Sequence, residues 1–129
     1  MKYLLDTHAA IWAAEKDSRL PSRVRELIEA HPREDFVIAY VTLVETARLL
    51  HSGKLTFSKE PRQWLRDLST RFEPQLPTAD IAWRSVCLDW EHRDPADRLI
   101  CATALEHELT LVTCDRIITE WGGVPVLWE

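Results

Sequence analysis

Glycine is scarce in this chain, at 3 of 129 residues, and two of the three form the pair Gly122-Gly123. That scarcity removes G-x-G-x-x-G and Walker-type loops, whose glycines let backbone N–H groups close on nucleotide phosphates, and it removes flexible linkers. Dinucleotide- and ATP-binding readings lose their main support. Cysteine is equally sparse: Cys87, Cys101 and Cys114 are odd in number, lack CxxC spacing and sit in apolar runs, so buried thiols are expected, not disulfides or metal ligands. The histidines show no HxxxH or HxH spacing for zinc. No apolar run approaches the roughly 18 residues of a membrane span, and Asp6 interrupts the start MKYLLDTHAAIWAAEKD, which therefore lacks a cleavable signal's layout. A soluble, cytoplasmic protein is expected. Basic residues are in deficit, 16 against 21 acids, for a net charge of −5. This argues against gripping nucleic acid by bulk electrostatics. It leaves a nuclease open, because a divalent cation held by several acids partly inverts the local field and attracts phosphate.

What is present is an apolar content of 46%, enough for a chain this long to bury roughly two thirds of its unfolded surface in one domain spanning residues 1–129. Short apolar runs at residues 3–5, 36–40, 72–76, 109–113 and 124–128 read as buried strands. Helical patterns alternate with them. One covers residues 7–14, a second opens at Pro21, a third follows Thr42, and others begin at Pro61, at Thr78 (running through Trp90), at Asp94-Pro95 and after Asp115. Strands interleaved with helices imply right-handed crossovers: an α/β fold in three layers, with about five parallel strands flanked by helices. Six tryptophans, Trp12, Trp64, Trp83, Trp90, Trp121 and Trp128, are expected mostly in the core, with Trp12 or Trp64 as candidates to line a groove or dimer face.

Ligands of such sheets bind beyond the carboxyl ends of the strands, where Asp6 follows YLL and Asp115 follows LTLVTC. Glu45 in TLVE and Asp97 in DPADR fall at helix starts. Each acid also has an ordinary structural explanation. Asp6 and Asp115 suit helix N-caps, Thr42-x-x-Glu45 matches a capping box, Asp94 precedes Pro95 as a cap should, and Asp97 favours the positive end of a helix dipole. Capping alone does not explain why all should arise at one edge. Two unit charges about 4 Å apart repel by roughly 4 kcal/mol at an effective dielectric near 20, so gathered carboxylates imply protonation or a bound cation. Oxygen-only ligation selects Mg²⁺ or Mn²⁺ over zinc. Arg48, Arg98 and Arg116 stand near the acids as candidate phosphate contacts, with salt bridges such as Asp94–Arg98 as the competing role. His8 reads as a partly exposed helix residue.

The stations LLDTHAAIW, VTLVETARLLHSGKL, HRDPADRLICATAL and LVTCDRII, followed by VPVLW, together resemble the PIN-domain family, and more narrowly the VapC-type toxin ribonucleases of bacterial toxin–antitoxin pairs. The resemblance covers nearly the whole chain. It implies a PIN-like sheet and Mg²⁺- or Mn²⁺-dependent RNA cleavage, with Asp6, Glu45, Asp97 and Asp115 as the acidic quartet that holds metal and carries catalysis. It further implies Asp94 as an additional acid and Thr113 as a hydroxyl that orients water or metal. A homodimer is implied, with a small antitoxin covering the acids and DNA bound only through that antitoxin. The chain departs from the subgroup in having VET where an aromatic-Glu-Ile triplet is frequent, and in a short middle helical region. Neither change removes an acid. The competing classes are a catalytically silent PIN-like scaffold, which needs the acids only as caps, and a Mg²⁺-dependent phosphatase or receiver. For the phosphatase, Asp6-Thr7-His8 lacks the second Asp of a D-x-D-x-T loop; for the receiver, no lysine follows the last apolar strand.

Overall fold

A computed structural model describes residues 1–129. Five short strands, β1 (Tyr3–Leu5), β2 (Phe36–Ala39), β3 (Glu73–Gln75), β4 (Thr110–Val112) and β5 (Val126–Leu127), pair throughout in parallel in the order β3-β2-β1-β4-β5. Seven helices connect them: α1 (Thr7–Glu15), α2 (Ser22–Ala30), α3 (Tyr40–His51), α4 (Pro61–Arg71), α5 (Ala79–Cys87), α6 (Pro95–Glu106) and α7 (Arg116–Trp121), with a 3₁₀ turn at Arg33–Asp35. This is the expected α/β sandwich.

The three layers follow from the strand period of two, which sends successive side chains to opposite faces. Leu5, Phe36, Ile38 and Val112 join one buried cluster with Ala9, Val24, Trp64 and Leu68 of α1, α2 and α4. Their neighbours Leu4, Val37, Ala39 and Leu111 join another with Ile100, Cys101, Ala104 and Ile118 of α6 and α7. Both faces are covered, as a parallel sheet requires.

Helix starts are largely where the sequence places them. Glu60 accepts from Arg62 N and Gln63 N ahead of Pro61, Thr78 accepts from Ile81 N, and Asp94 accepts from Ala96 N ahead of Pro95. Helix α3 differs. It starts at Tyr40 directly from β2, with Ala39 as its cap, so Thr42 lies inside the helix and the expected capping box does not form. Thr42 O accepts from Thr46 Oγ1 at 2.7 Å, and the Glu45 carboxylate accepts from the Thr7 hydroxyl. Helix α5 ends at Cys87, short of the expected Trp90. The Arg98 guanidinium takes the carbonyls of Ser85, Val86, Leu88, Trp90 and His92, replacing the helical donors that a longer α5 would need. Strand β5 is shorter than expected because Pro125 has no N–H; only its carbonyl joins the ladder, accepting from Leu111 N at 2.8 Å.

Two further expectations change. Of the cysteines only Cys101 is buried; Cys87 and Cys114 are exposed because they fall at a helix end and in the loop after β4. Of the tryptophans, Trp64 is core, stacked on Phe57, whereas Trp83 is 71% exposed on the outer face of α5.

Candidate metal and catalytic centre

The chain runs from β1 outward to β2 and β3, then returns to the other side of β1 for β4 and β5. The carboxyl ends of β1 and β4 therefore flank the topological switch point, where such sheets bind ligands. Asp6 is the residue after β1. Its Oδ1 accepts from Ala9 N at 2.9 Å, capping α1, and its Oδ2 accepts from the Thr113 hydroxyl. Fully buried Thr113, the residue after β4, also accepts from Asp115 N at 3.0 Å. One threonine thus ties together the two acids of adjacent strand ends. Asp115 caps α7 through Ile118 N at 3.0 Å.

The other side of the site is built by helices. Glu45 reaches from α3 to accept the Thr7 hydroxyl at 2.5 Å, and Thr7 lies 3.2 Å from the Thr42 hydroxyl. Asp97, in the first turn of α6, meets His92 Nε2 at 2.6 Å. Burial pushes the Asp6 carboxyl up from 3.8 to about 6, against the opposing pull of Thr113, Ala9 N and His8, and the Asp115 charge adds to the rise. Glu45 is raised by burial and by the charges of Asp97 and Asp94; Asp97 is raised by burial and by Asp94 and Asp115. Every acid of the quartet therefore feels, or acts on, another member's charge.

At ligand distance the grouping differs from the expectation. No three quartet carboxylates bring oxygens within 4.8 Å of one another; the group that does is His92, Asp94 and Asp97. The physical reason is visible in the hydrogen bonds. Mutually repelling carboxylates each rest on the nearest donor: Asp6 on Thr113 and Ala9, Glu45 on Thr7, Asp97 on His92 and Asp115 on Ile118. The donor set fits a hard cation, being carboxylate oxygens with one imidazole, and raised pKa values mark a site whose ionised form a cation would stabilise.

Arg98 does not serve as expected. Its guanidinium is spent on the carbonyl cage that ends α5, so it is neither available to phosphate nor paired with Asp94. Arg116 is free on the surface apart from Glu120 at 3.5 Å, and Arg48 is exposed on α3. Sequence reasoning missed His92 and Thr7. The spacing His92-x-Asp94-x-x-Asp97 ahead of a helix was the available signal for His92; Thr7 offered none, because its partner lies 38 residues away.

Fold and site together define a parallel α/β protein with an acid-rich, cation-compatible centre at its strand edge. The PIN domain family model matches residues 3–123, and the chain belongs to the PIN-domain family. It is 33% identical over 114 residues to Ribonuclease VapC22 of Mycobacterium tuberculosis, covering 88% of this chain and 86% of that protein. Among solved structures it is similar to VapBC2 from Rickettsia felis bound to a DNA fragment from its promoter (TM-score 0.72, 21% identity, 100% of both chains). It is also similar to a toxin–antitoxin complex from Klebsiella pneumoniae (TM-score 0.69, 24% identity, 98% and 96% of the chains). At these identities the likeness to the solved structures is one of fold. Family membership sets aside the phosphatase and receiver readings.

Proposed function

We propose that this chain is a VapC-like toxin, a Mg²⁺- or Mn²⁺-dependent endoribonuclease acting in the cytoplasm and held inactive by a small cognate antitoxin. The observation that carries the reading is the meeting of these acids: Glu45 is raised by Asp97 and Asp94, Asp97 by Asp94 and Asp115, and Thr113 joins Asp6 to Asp115 across the β1–β4 edge. Capping accounts for Asp6, Asp94 and Asp115, as a silent scaffold would need. It does not account for Glu45 or Asp97, which cap nothing.

Asp6, Glu45, Asp97 and Asp115 would hold the cation, with Asp94 and His92 at its margin. Such a cation, when bound, lowers the pKa of water and neutralises charge developing on a phosphodiester. Thr113 holds Asp6, Thr7 holds Glu45 and His92 holds Asp97, each through a hydrogen bond. An acid of the quartet that the cation does not occupy, Glu45 or Asp115, would accept the proton of the attacking water. Attack at phosphorus and rupture of the P–O3′ bond leave a 5′-phosphate and a 3′-hydroxyl. Arg48 and Arg116 are the cations free to meet flanking phosphates. The similarity to toxin–antitoxin complexes supports an antitoxin partner; the family resemblance further implies an antitoxin covering this acid edge, DNA engaged only through it, and a homodimeric toxin. The test is incubation of the purified chain with RNA and Mn²⁺: cleavage is expected, and cleavage that continues unchanged in EDTA overturns the reading.

A further inference from the structure

Two open cavities border the centre, and their chemistry differs. The one beside His92 is lined by Asp89, Glu91 and Glu120 and by no lysine or arginine, so it repels a polyanion. The other is a groove of about 550 Å³ between α2, the ends of β4 and β5, and α7. Its charged side chains are Arg23, Arg116, Glu120 and Glu129, and Thr113 and Trp128 also line it. Thr113, Cys114 and Arg116 flank Asp115 in sequence, so the groove adjoins the centre along the chain that links β4 to α7.

We infer that this groove is a nucleotide subsite for single-stranded RNA, with a base stacked on Trp128 and its phosphates met by Arg23 and Arg116. The inference rests on the ribonuclease reading above and names the residues that would seat the strand. Trp128 is only partly buried, and its orientation is fixed by Trp12, whose ring centroid lies 5.8 Å away with planes inclined 55°. Trp12 is itself held between His8, at 5.7 Å, and the Arg19 guanidinium, 4.8 Å from its ring centroid. An aromatic face so braced loses little entropy when a base stacks on it. Stacking tolerates any base, because every base has a π-face, but it requires an unpaired one. Arg23 is exposed, and the Arg116–Glu120 pair, 90% and 69% exposed, is too solvated to hold Arg116 back from a phosphate. Trp128 lies beyond residues 3–123, so the platform belongs to a segment that the family match does not include.

The probe is fluorescein-labelled octauridine, octaadenosine or a duplex of the same length, followed by anisotropy on Asp97→Asn protein so that the strand stays intact. Trp128→Leu is expected to weaken binding of both single strands by ~5- to ~150-fold, with Trp128→Phe recovering most of the loss. Arg23→Gln and Arg116→Gln are each expected to flatten the slope of log K against log salt by about 0.7, a change that misfolding does not mimic. The duplex should bind more weakly than either strand. Unchanged salt slopes in both arginine variants, equal affinity for duplex, or no binding of any strand overturns the inference. Where Trp128→Leu does not fold, the arginine slopes decide. Binding that responds as expected in a chain that cuts no RNA in Mn²⁺ upholds the groove and removes the ribonuclease reading.

Discussion

The electrostatic cost stored at Asp6 can be read as stability. Its folded-state pKa of about 6 lies above the ordinary 3.8, so the folded chain prefers the protonated acid. The associated stability is fully present below pH 3.8 and is lost as pH rises through about 6. A shift of this size corresponds to at most about 3 kcal/mol, at 1.36 kcal/mol per pKa unit. Asp6→Asn removes the charge and keeps one oxygen, which can cap Ala9 N, and Asn caps about as well as Asp. Its amide NH₂ then stands where Oδ2 was, so the Thr113 hydroxyl must accept from it instead of donating. Loss of the charge–dipole interaction and of a charge-assisted bond takes back about 1 kcal/mol or somewhat more. The net expectation in EDTA near neutral pH is a gain of roughly 1 to 2 kcal/mol, or about 3 to 8 °C in Tm for a domain of this size. The gain should fade as the pH is lowered toward 4. Mn²⁺ at about tenfold its Kd should stabilise the unsubstituted chain by about 1.4 kcal/mol and the variant by less. The assay is thermal or urea unfolding of both proteins across pH 4 to 8 with and without Mn²⁺. A variant less stable than the parent near neutral pH in EDTA, or a difference that does not change with pH, refutes the reasoning.

Other perturbations separate the roles of neighbouring residues. Asp97→Asn should lower Mn²⁺-dependent RNA cleavage by ~10²-fold or more in a gel assay while the circular dichroism spectrum is kept. Arg98→Leu should destabilise by about 2 to 4 kcal/mol in urea, because five backbone carbonyls lose a charged donor, and Arg98→Lys, with fewer donors, should fall between. Gly123→Ala should cost about 1 to 3 kcal/mol: its Cβ would meet the Trp121 ring at 2.3 Å, and that ring is held by stacking on Trp90 at 4.3 Å and by Nε1 donating to Asp89 O. In a thiol-titration time course, Cys87 and Cys114 should react under native conditions; Cys101, buried and with its thiol pushed up to about 12, should react only on unfolding.

Much of the molecule was legible along the chain because its information is local. Alternating apolar runs and helix stripes gave the five strands and the α/β order, and the Pro61, Thr78 and Asp94-Pro95 signals marked helix starts, since capping depends on residues only two or three apart. The acids after β1 and β4 could be placed at the switch point by the same reasoning. The features that required the folded chain involve partners far apart in sequence. Thr42 looked like a cap but is helix interior, because β2 runs straight into α3 and leaves no extended residue there. Glu45 is oriented by Thr7, 38 positions away, and Asp6 by Thr113, 107 away. Arg98 sits beside a quartet acid in sequence, yet the fold turns its guanidinium into the carbonyls that end α5. Periodicity and capping, both local, set which elements form and which acids follow the strands. Packing alone decided which donor each acid rests on and which arginines remain free, because those choices depend on the competition among groups that only folding brings together.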